Sequence, residues 1–289
     1  MRKNRAEMGL EMKHIYLNLK RFDIPKELGG VNSIAPVADW GAYIVENTKE
    51  ALSIYGEDEV EFVIYLPEAH LLSAIGAMGN NRNLAIGPQG VFREDVEEGG
   101  NFGAFTANRT GKAMKALGCA SALIGHCEER RDKLGIMAEA GVRDTDAVNR
   151  IMNKEIKAAV EAGLSVLYCI GESAEEQDKW QEVLGSQLEI GLKDVDTSKV
   201  AIAYEPIWSI GPGKTPAGKD YIQMIARFIK EHTGGLPVVY GGGLKADNAA
   251  MLASIPEIDG GLIALTRFQG EIGFYPEEYL EIIRTYMGK

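Results

Sequence analysis

The sequence predicts a single α/β domain folded as a (β/α)8 TIM barrel, and three observations carry that expectation. A short apolar run, a polar or Gly-rich break and an amphipathic helix recur with a period of about 30 residues, the rhythm of βα units. Eight such apolar runs can be picked out. No G-x-G-x-x-G follows the first of them, which counts against the dinucleotide-binding version of an open sheet. Periodicity alone does not separate a closed barrel from a doubly wound sheet.

The strand candidates are HIYLNL (14–19), VEFVIYL (60–66), NLAIG (83–87), ASALIG (120–125), SVLYCI (165–170), VAIAYE (200–205), LPVVYG (236–241) and IDGGLIAL (258–265). Runs this apolar read as strands covered on both faces, which is the property of parallel sheets wrapped in helices. Helical patterns stand between them at 147–163, 175–192 and 219–234, with apolar residues recurring at three and four. Residues 1–13 are expected to be a polar leader and residues 14–289 the barrel domain. At 289 residues, one barrel accommodates the whole chain.

The chain has 42 acidic against 31 basic side chains, a net charge of -11, so nucleic acid and anionic membranes are not expected partners. No run of 18 apolar residues could span a bilayer, and the start of the chain lacks the apolar stretch of a signal peptide. Cys119, Cys127 and Cys169 are too few and too irregularly spaced for a disulfide framework or a zinc site. A cytoplasmic protein without a structural metal is expected.

In a closed barrel the strand C-termini converge on one face, where the chemistry is placed. The polar residues there are Asn18, Lys20, His126, Glu172 and Glu205. Glu205 ends the apolar run VAIAY, and a carboxylate partly removed from water gains basicity toward carbon acids. Position alone equally allows a charged residue leaving the sheet. The following PIWSIGPGK pairs a stiff entry with Ile210 and glycines around Pro212, suited to a loop that hinges, covers an apolar substrate face and offers N–H groups to an anion, Gly211 among them. His126 closes ASALIGH, where a structural role competes with a catalytic one. Lys20 lies two positions after Asn18, on the same side of the strand, and needs a counter-charge if buried. A solvated surface lysine is its plain alternative.

Together LIGHCEERR (123–131), CIGE (169–172), AYEPIWSIGPGK (203–214) and YGGGLKADNAAMLASIPEIDG (240–260) resemble the triosephosphate isomerase family, with N-L-K (18–20) and GAFT (103–106) as weaker support. The resemblance extends from about residue 15 to residue 286. It implies a barrel isomerase that needs no cofactor or metal, acts on a small phosphorylated sugar in glycolysis and gluconeogenesis, and forms a homodimer. In that dimer the GAFT loop reaches the neighbouring subunit's site. Matched residue by residue, it makes Glu205 the base, His126 the electrophile, and Lys20 with Asn18 the electrostatic and positioning pair. Glu128 becomes the carboxylate beside the lysine. An enediolate formed by removing a proton next to a carbonyl needs a base on one side and donors on the other, and these residues supply both.

The departures from the family pattern cluster at the phosphate. Gly243 stands where the family has serine, and Ala264-Leu265 replace its paired glycines; Leu265 disfavours positive φ. Pro212 removes one N–H from the loop after Glu205. Longer loops are expected at 89–103, after Arg131 and at 266–275, and Glu129 is an insertion or substitution. Thr266 and Arg267 are candidate side-chain replacements for the lost phosphate contacts, with solvent or Glu271 as the alternative destination of Arg267. An isomerase of another sugar phosphate, such as a tetrose phosphate, is a second reading. A barrel that binds a phosphorylated ligand or a partner protein without turnover is a third.

Overall fold

A computed structural model describes residues 12–210 and 214–289. Eight parallel strands run β1 (Lys13–Asn18), β2 (Val60–Leu66), β3 (Leu84–Pro88), β4 (Ser121–Ile124), β5 (Ser165–Ile170), β6 (Val200–Tyr204), β7 (Val238–Tyr240) and β8 (Gly260–Ile263). Their lateral order is β3-β2-β1-β8-β7-β6-β5-β4, the sequential order of a barrel opened at one seam. At that seam the Ala120 N–H donates to the Ile86 carbonyl at 3.0 Å, so β3 and β4 nearly close the ring. Gly87 permits the approach, since a Cβ there would lie 2.1 Å from the Ser121 carbonyl oxygen.

The strand pleat decides which residues meet inside. Tyr16, Val63, Tyr65, Leu123, Leu167, Cys169, Ala201, Ala203, Val239 and Leu262 form the barrel interior. The alternate residues, including Ile15, Phe62, Ile124, Val166 and Ile202, pack outward against the helices. Two steps beyond Tyr16 the inward position is Asn18, and two beyond Ala203 it is Glu205. Strand periodicity therefore lifts both to the upper rim, one layer above the packed core.

The helices are α1 (Trp40–Glu46), α2 (Lys49–Leu52), α3 (Leu71–Met78), α4 (Gly111–Ala116), α5 (Cys127–Glu139), α6 (Thr145–Glu161), α7 (Trp180–Gly191), α8 (Lys219–Thr233), α9 (Ala249–Ala253) and α10 (Pro276–Met287). The long loop expected after Arg131 is instead helix: α5 continues to Glu139, and among its side chains only Arg130 is buried. With no apolar stripe, its sequence gave no helical period to read. The helix expected from 175 starts as α only at Trp180, after a 3-10 segment capped by Ser173 and Glu176. Of the expected leader, residues 1–11 lie outside the described residues, while Lys13 already belongs to β1 and donates its N–H to Glu59 at 3.0 Å. No described helix is long and apolar enough to cross a membrane.

Candidate active site

At the C-terminal rim of the strands lies a cavity of about 500 Å3. Asn18, Lys20, His126, Cys127, Glu205 and Gly243 line it, together with Ser209, Ile210, Lys214, Lys245, Ala264, Leu265 and Phe268. Among the described residues three lysines face it against one carboxylate, although the chain as a whole carries a net charge of -11. Such a local reversal draws a small anion into the cavity of an acidic protein.

Glu205 is only 2% exposed, and the side of Ala203 that faces the barrel axis directs it inward. Its Oε1 lies 3.1 Å from His126 Nε2, and its Oε2 accepts the Cys127 N–H at 2.9 Å. Burial pushes the carboxyl above its ordinary value; His126, the Cys127 N–H, Lys20 and Arg130 oppose the rise without cancelling it.

His126 is the N-cap of α5, and its Nδ1 accepts the Glu128 N–H at 3.2 Å. Nδ1 therefore presents a lone pair, and the ring proton is assigned to Nε2, which faces the cavity. The cap is fixed from beneath by buried Arg130, which donates to the carbonyls of Gly125 (2.8 Å) and Cys169 (3.1 Å), to Asn149 (2.8 Å) and to the Tyr168 hydroxyl (2.9 Å). Glu129 lies in the first turn of α5, and its Oε2 accepts the Gly125 N–H at 2.7 Å.

Lys20 adopts φ 41, a left-handed conformation that costs a side-chain-bearing residue energy and persists only when its surroundings enforce it. Asn18 Oδ1 accepts the Lys20 N–H at 3.1 Å, and Gln89 Nε2 donates to both Asn18 Oδ1 (3.2 Å) and the Lys20 carbonyl (3.0 Å). The ammonium donates to Glu128 Oε1 at 2.7 Å, which supplies the expected counter-charge. Burial would raise the Glu128 carboxyl, but the hydrogen bond and charge of Lys20 bring it below its ordinary value.

Glu172 sits wholly buried under the loop that follows β6. Its Oε1 accepts from the hydroxyl of Tyr204 (2.8 Å), from Trp208 Nε1 (2.8 Å) and from the Tyr221 hydroxyl (3.0 Å), so it clamps the root of that loop. Ile210, at the last described position before the gap, faces the cavity; Gly211 and Pro212 lie outside the described residues.

The structure places Thr266 and Arg267 away from the cavity. Arg267 Nε donates to Glu278 Oε1 at 2.8 Å, and its guanidinium stacks 3.9 Å from the Tyr275 ring centroid. Thr266 donates to Glu278 Oε2 at 2.8 Å and accepts the Tyr275 N–H at 2.9 Å. Both bind the loop to α10 and neither lines the cavity, because Glu278 on the first turn of α10 offers a carboxylate nearer than any substrate. Glu271, the alternative partner considered for Arg267, is paired with Lys26. Ala264 and Leu265 do line the cavity, but neither takes a positive φ.

Sequence reading missed Gln89, Cys127 and Lys245. Gln89 was hidden in a loop, and the backbone N–H of Cys127 carries no signal in a residue pattern. His126, Cys127 and Glu205 bring donor atoms within 4.8 Å of one another, a grouping able to meet a metal ion. Burial and the Glu205 charge push the Cys127 thiol up to about 12, so it stays protonated at neutral pH and is a poor ligand there.

Comparison with known proteins points to one family. A family model described as Triosephosphate isomerase matches residues 40–284. The triosephosphate isomerase of Geobacter metallireducens is 37% identical over 219 residues, covering 71% of this chain and 79% of that protein. That of Marinobacter nauticus is 33% identical over 254 residues, covering 84% and 90%. The crystal structure of triosephosphate isomerase from Bartonella henselae superimposes with a TM-score of 0.70 over 95% of this chain and 98% of that one; at 24% identity this likeness speaks for the fold. With an isomerase-type barrel and a family match that covers most of its length, the chain belongs to the triosephosphate isomerase family.

Proposed function

We propose that the protein interconverts glyceraldehyde 3-phosphate and dihydroxyacetone phosphate, the reaction named by its relatives, through an enediolate. The observation that carries this reading is the buried Glu205 carboxylate facing His126 Nε2 across 3.1 Å at the floor of a lysine-lined cavity. Glu205 removes the proton from the carbon beside the carbonyl. The carbonyl oxygen then gathers negative charge, which the Nε2–H of His126 and the ammonium of Lys20 stabilise. Protonation of the neighbouring carbon by the same carboxyl, and movement of the hydroxyl proton between the oxygens, completes the exchange. No electron leaves the substrate, so neither a redox cofactor nor a metal enters the balance.

Asn18 and Gln89 hold Lys20 in its left-handed conformation, and Glu128 orients its ammonium. Ile210 covers the apolar edge of the substrate. When a substrate carbonyl takes the Nε2–H of His126, Glu205 loses one donor that steadies its charged form and becomes more basic. We assign the protein to the cytoplasm and to glycolysis and gluconeogenesis, supported by its three free cysteines and its family. A homodimer is supported by the loop between Gln89 and Ala107, where Phe102 stands 85% exposed beside GAFT. Sedimentation of an active preparation at micromolar concentration tests the dimer; a monomer alone would refute it.

The reaction is tested by proton exchange. Purified protein in heavy water should incorporate deuterium into triose phosphate while interconverting aldose and ketose. Glu205→Gln should lose about a hundredfold or more of that activity while remaining folded. A variant retaining half the wild-type rate would remove Glu205 from the role. Turnover of a tetrose phosphate in preference to the triose would overturn the substrate.

A further inference from the structure

We propose that Lys245 is the side chain that grips the substrate phosphate, and that Phe268 positions it. The proposal rests on the preceding reading in that the ligand is a phosphate monoester.

The wall after β8 does not present the paired glycines of the family pattern to a phosphate. Ala264 and Leu265 occupy it with side chains, and neither adopts the left-handed conformation open to a pair of glycines. Arg267 and Thr266 have turned away to Glu278. A charged side chain for a dianion at this end of the cavity therefore has to come from elsewhere.

Lys245 stands on the neighbouring turn after β7. Asn248 fixes that turn, donating to the Gly243 carbonyl at 2.9 Å and accepting the Lys245 N–H at 2.8 Å. Gly243 has φ 98, and a Cβ built there would lie 3.3 Å from Lys245 Cε. A serine at 243 would thus be strained and would crowd the lysine stem, whereas glycine leaves that stem room. The glycine that removes a hydroxyl from the phosphate region also leaves the lysine stem unhindered.

The ammonium of Lys245 lies 4.2 Å from the Phe268 ring centroid. Phe268 comes from the lengthened loop after β8, and the ties of Thr266 and Arg267 to Glu278 set the root of that loop. A ring face holds a cation weakly at a partly exposed site and leaves its charge unneutralised. Among the described residues no carboxylate lies within 4.0 Å of Lys245 Nζ, in contrast to Lys20 with Glu128, Lys133 with Glu129 and Lys230 with Asp259. A half-buried ammonium that faces a cavity without a counter-charge has unused capacity for an anion. Gly243, Lys245 and Phe268 come from the neighbouring turns after β7 and β8, and Glu205 and His126 form the reacting end.

The test uses inorganic phosphate as the probe. In Lys245→Met, KM for the triose phosphate and the inhibition constant of inorganic phosphate should both rise about tenfold to a hundredfold, the range expected for a charge-assisted contact. The kcat should stay within about threefold, because the phosphate is held alike in ground and transition states. Lys245→Arg should recover most of the loss, and Phe268→Leu should raise both constants by a smaller factor. Thermal unfolding of each variant establishes that it is folded; if Lys245→Met does not fold, Lys245→Gln takes its place. Unchanged KM and unchanged phosphate inhibition, or a fall confined to kcat, would overturn the proposal. If the wild type isomerises no triose phosphate, calorimetric titration with inorganic phosphate still separates the questions. Binding lost in Lys245→Met then keeps the anion site and sinks the isomerase reading, and binding retained there overturns the site.

Discussion

His126 Nε2 lies 3.1 Å from Glu205 Oε1, so the proposed electrophile and the proposed base touch. The contact is enforced from both sides: α5 presents the Cys127 N–H to the other carboxylate oxygen and the Glu128 N–H to the other ring nitrogen. A single helix N-terminus thereby orients both groups. Substrate entry has to exchange this contact for one between His126 and a carbonyl.

The buried state of Glu205 fixes the acid limb of the pH profile. Burial raises the carboxyl above its ordinary 4.5, and the base works only when ionised. The acid limb of kcat/KM should therefore fall above pH 4.5; a limb at or below it would remove Glu205 as the titrating base. The same shift has a stability consequence. A raised folded-state value stabilises fully below about 4.5 and loses that contribution as pH rises through the folded value. At neutral pH Glu205→Gln should accordingly unfold at a higher temperature than the wild type, which differential scanning calorimetry checks.

Lys20 and Glu128 separate charge from tether. Lys20→Met removes the cation from the cavity and should lower kcat/KM by about a hundredfold or more. Glu128→Gln leaves the ammonium in place with a weaker anchor and should cost only about three- to tenfold. Steady-state kinetics that ranked the two losses in reverse would contradict this division.

Arg267 provides the counter-case to Lys245. Since its guanidinium is spent on Glu278 and Tyr275, Arg267→Ala should leave KM and kcat within about twofold of the wild type. Amide exchange in residues 266–275 should quicken instead, because the loop loses a tie to α10. A large rise in KM would mean that the arginine swings into the cavity when phosphate binds.

Away from the cavity, Glu155 on α6 is 4% exposed and lies 3.2 Å from Lys133 Nζ, which Glu129 also holds at 2.8 Å. Burial, reinforced by the Glu129 charge, pushes Glu155 up to about 9. Its contribution to stability is complete below its ordinary 4.5 and is lost as pH rises through about 9. Glu155→Gln should flatten the decline of the unfolding midpoint between those limits; an unaltered pH dependence would show that Glu155 ionises normally.

The sequence by itself determined the eight strand segments and, through its motifs, the family whose barrel they form. Apolar runs with the strand period set the core, and that period, counted two residues past Tyr16 and Ala203, carries Asn18 and Glu205 to the rim. Its local patterns also marked His126 and Lys20, because strand ends announce themselves by an abrupt change of polarity. What only the tertiary structure decided was the pairing of groups distant along the chain. Arg267 faces Glu278 and not a ligand, Gln89 bridges Asn18 and Lys20, and Lys245 meets the ring of Phe268. The reason is physical. Periodicity assigns a side chain to a face, but the destination of a long flexible cation depends on which carboxylates, rings and carbonyls the fold brings within its reach.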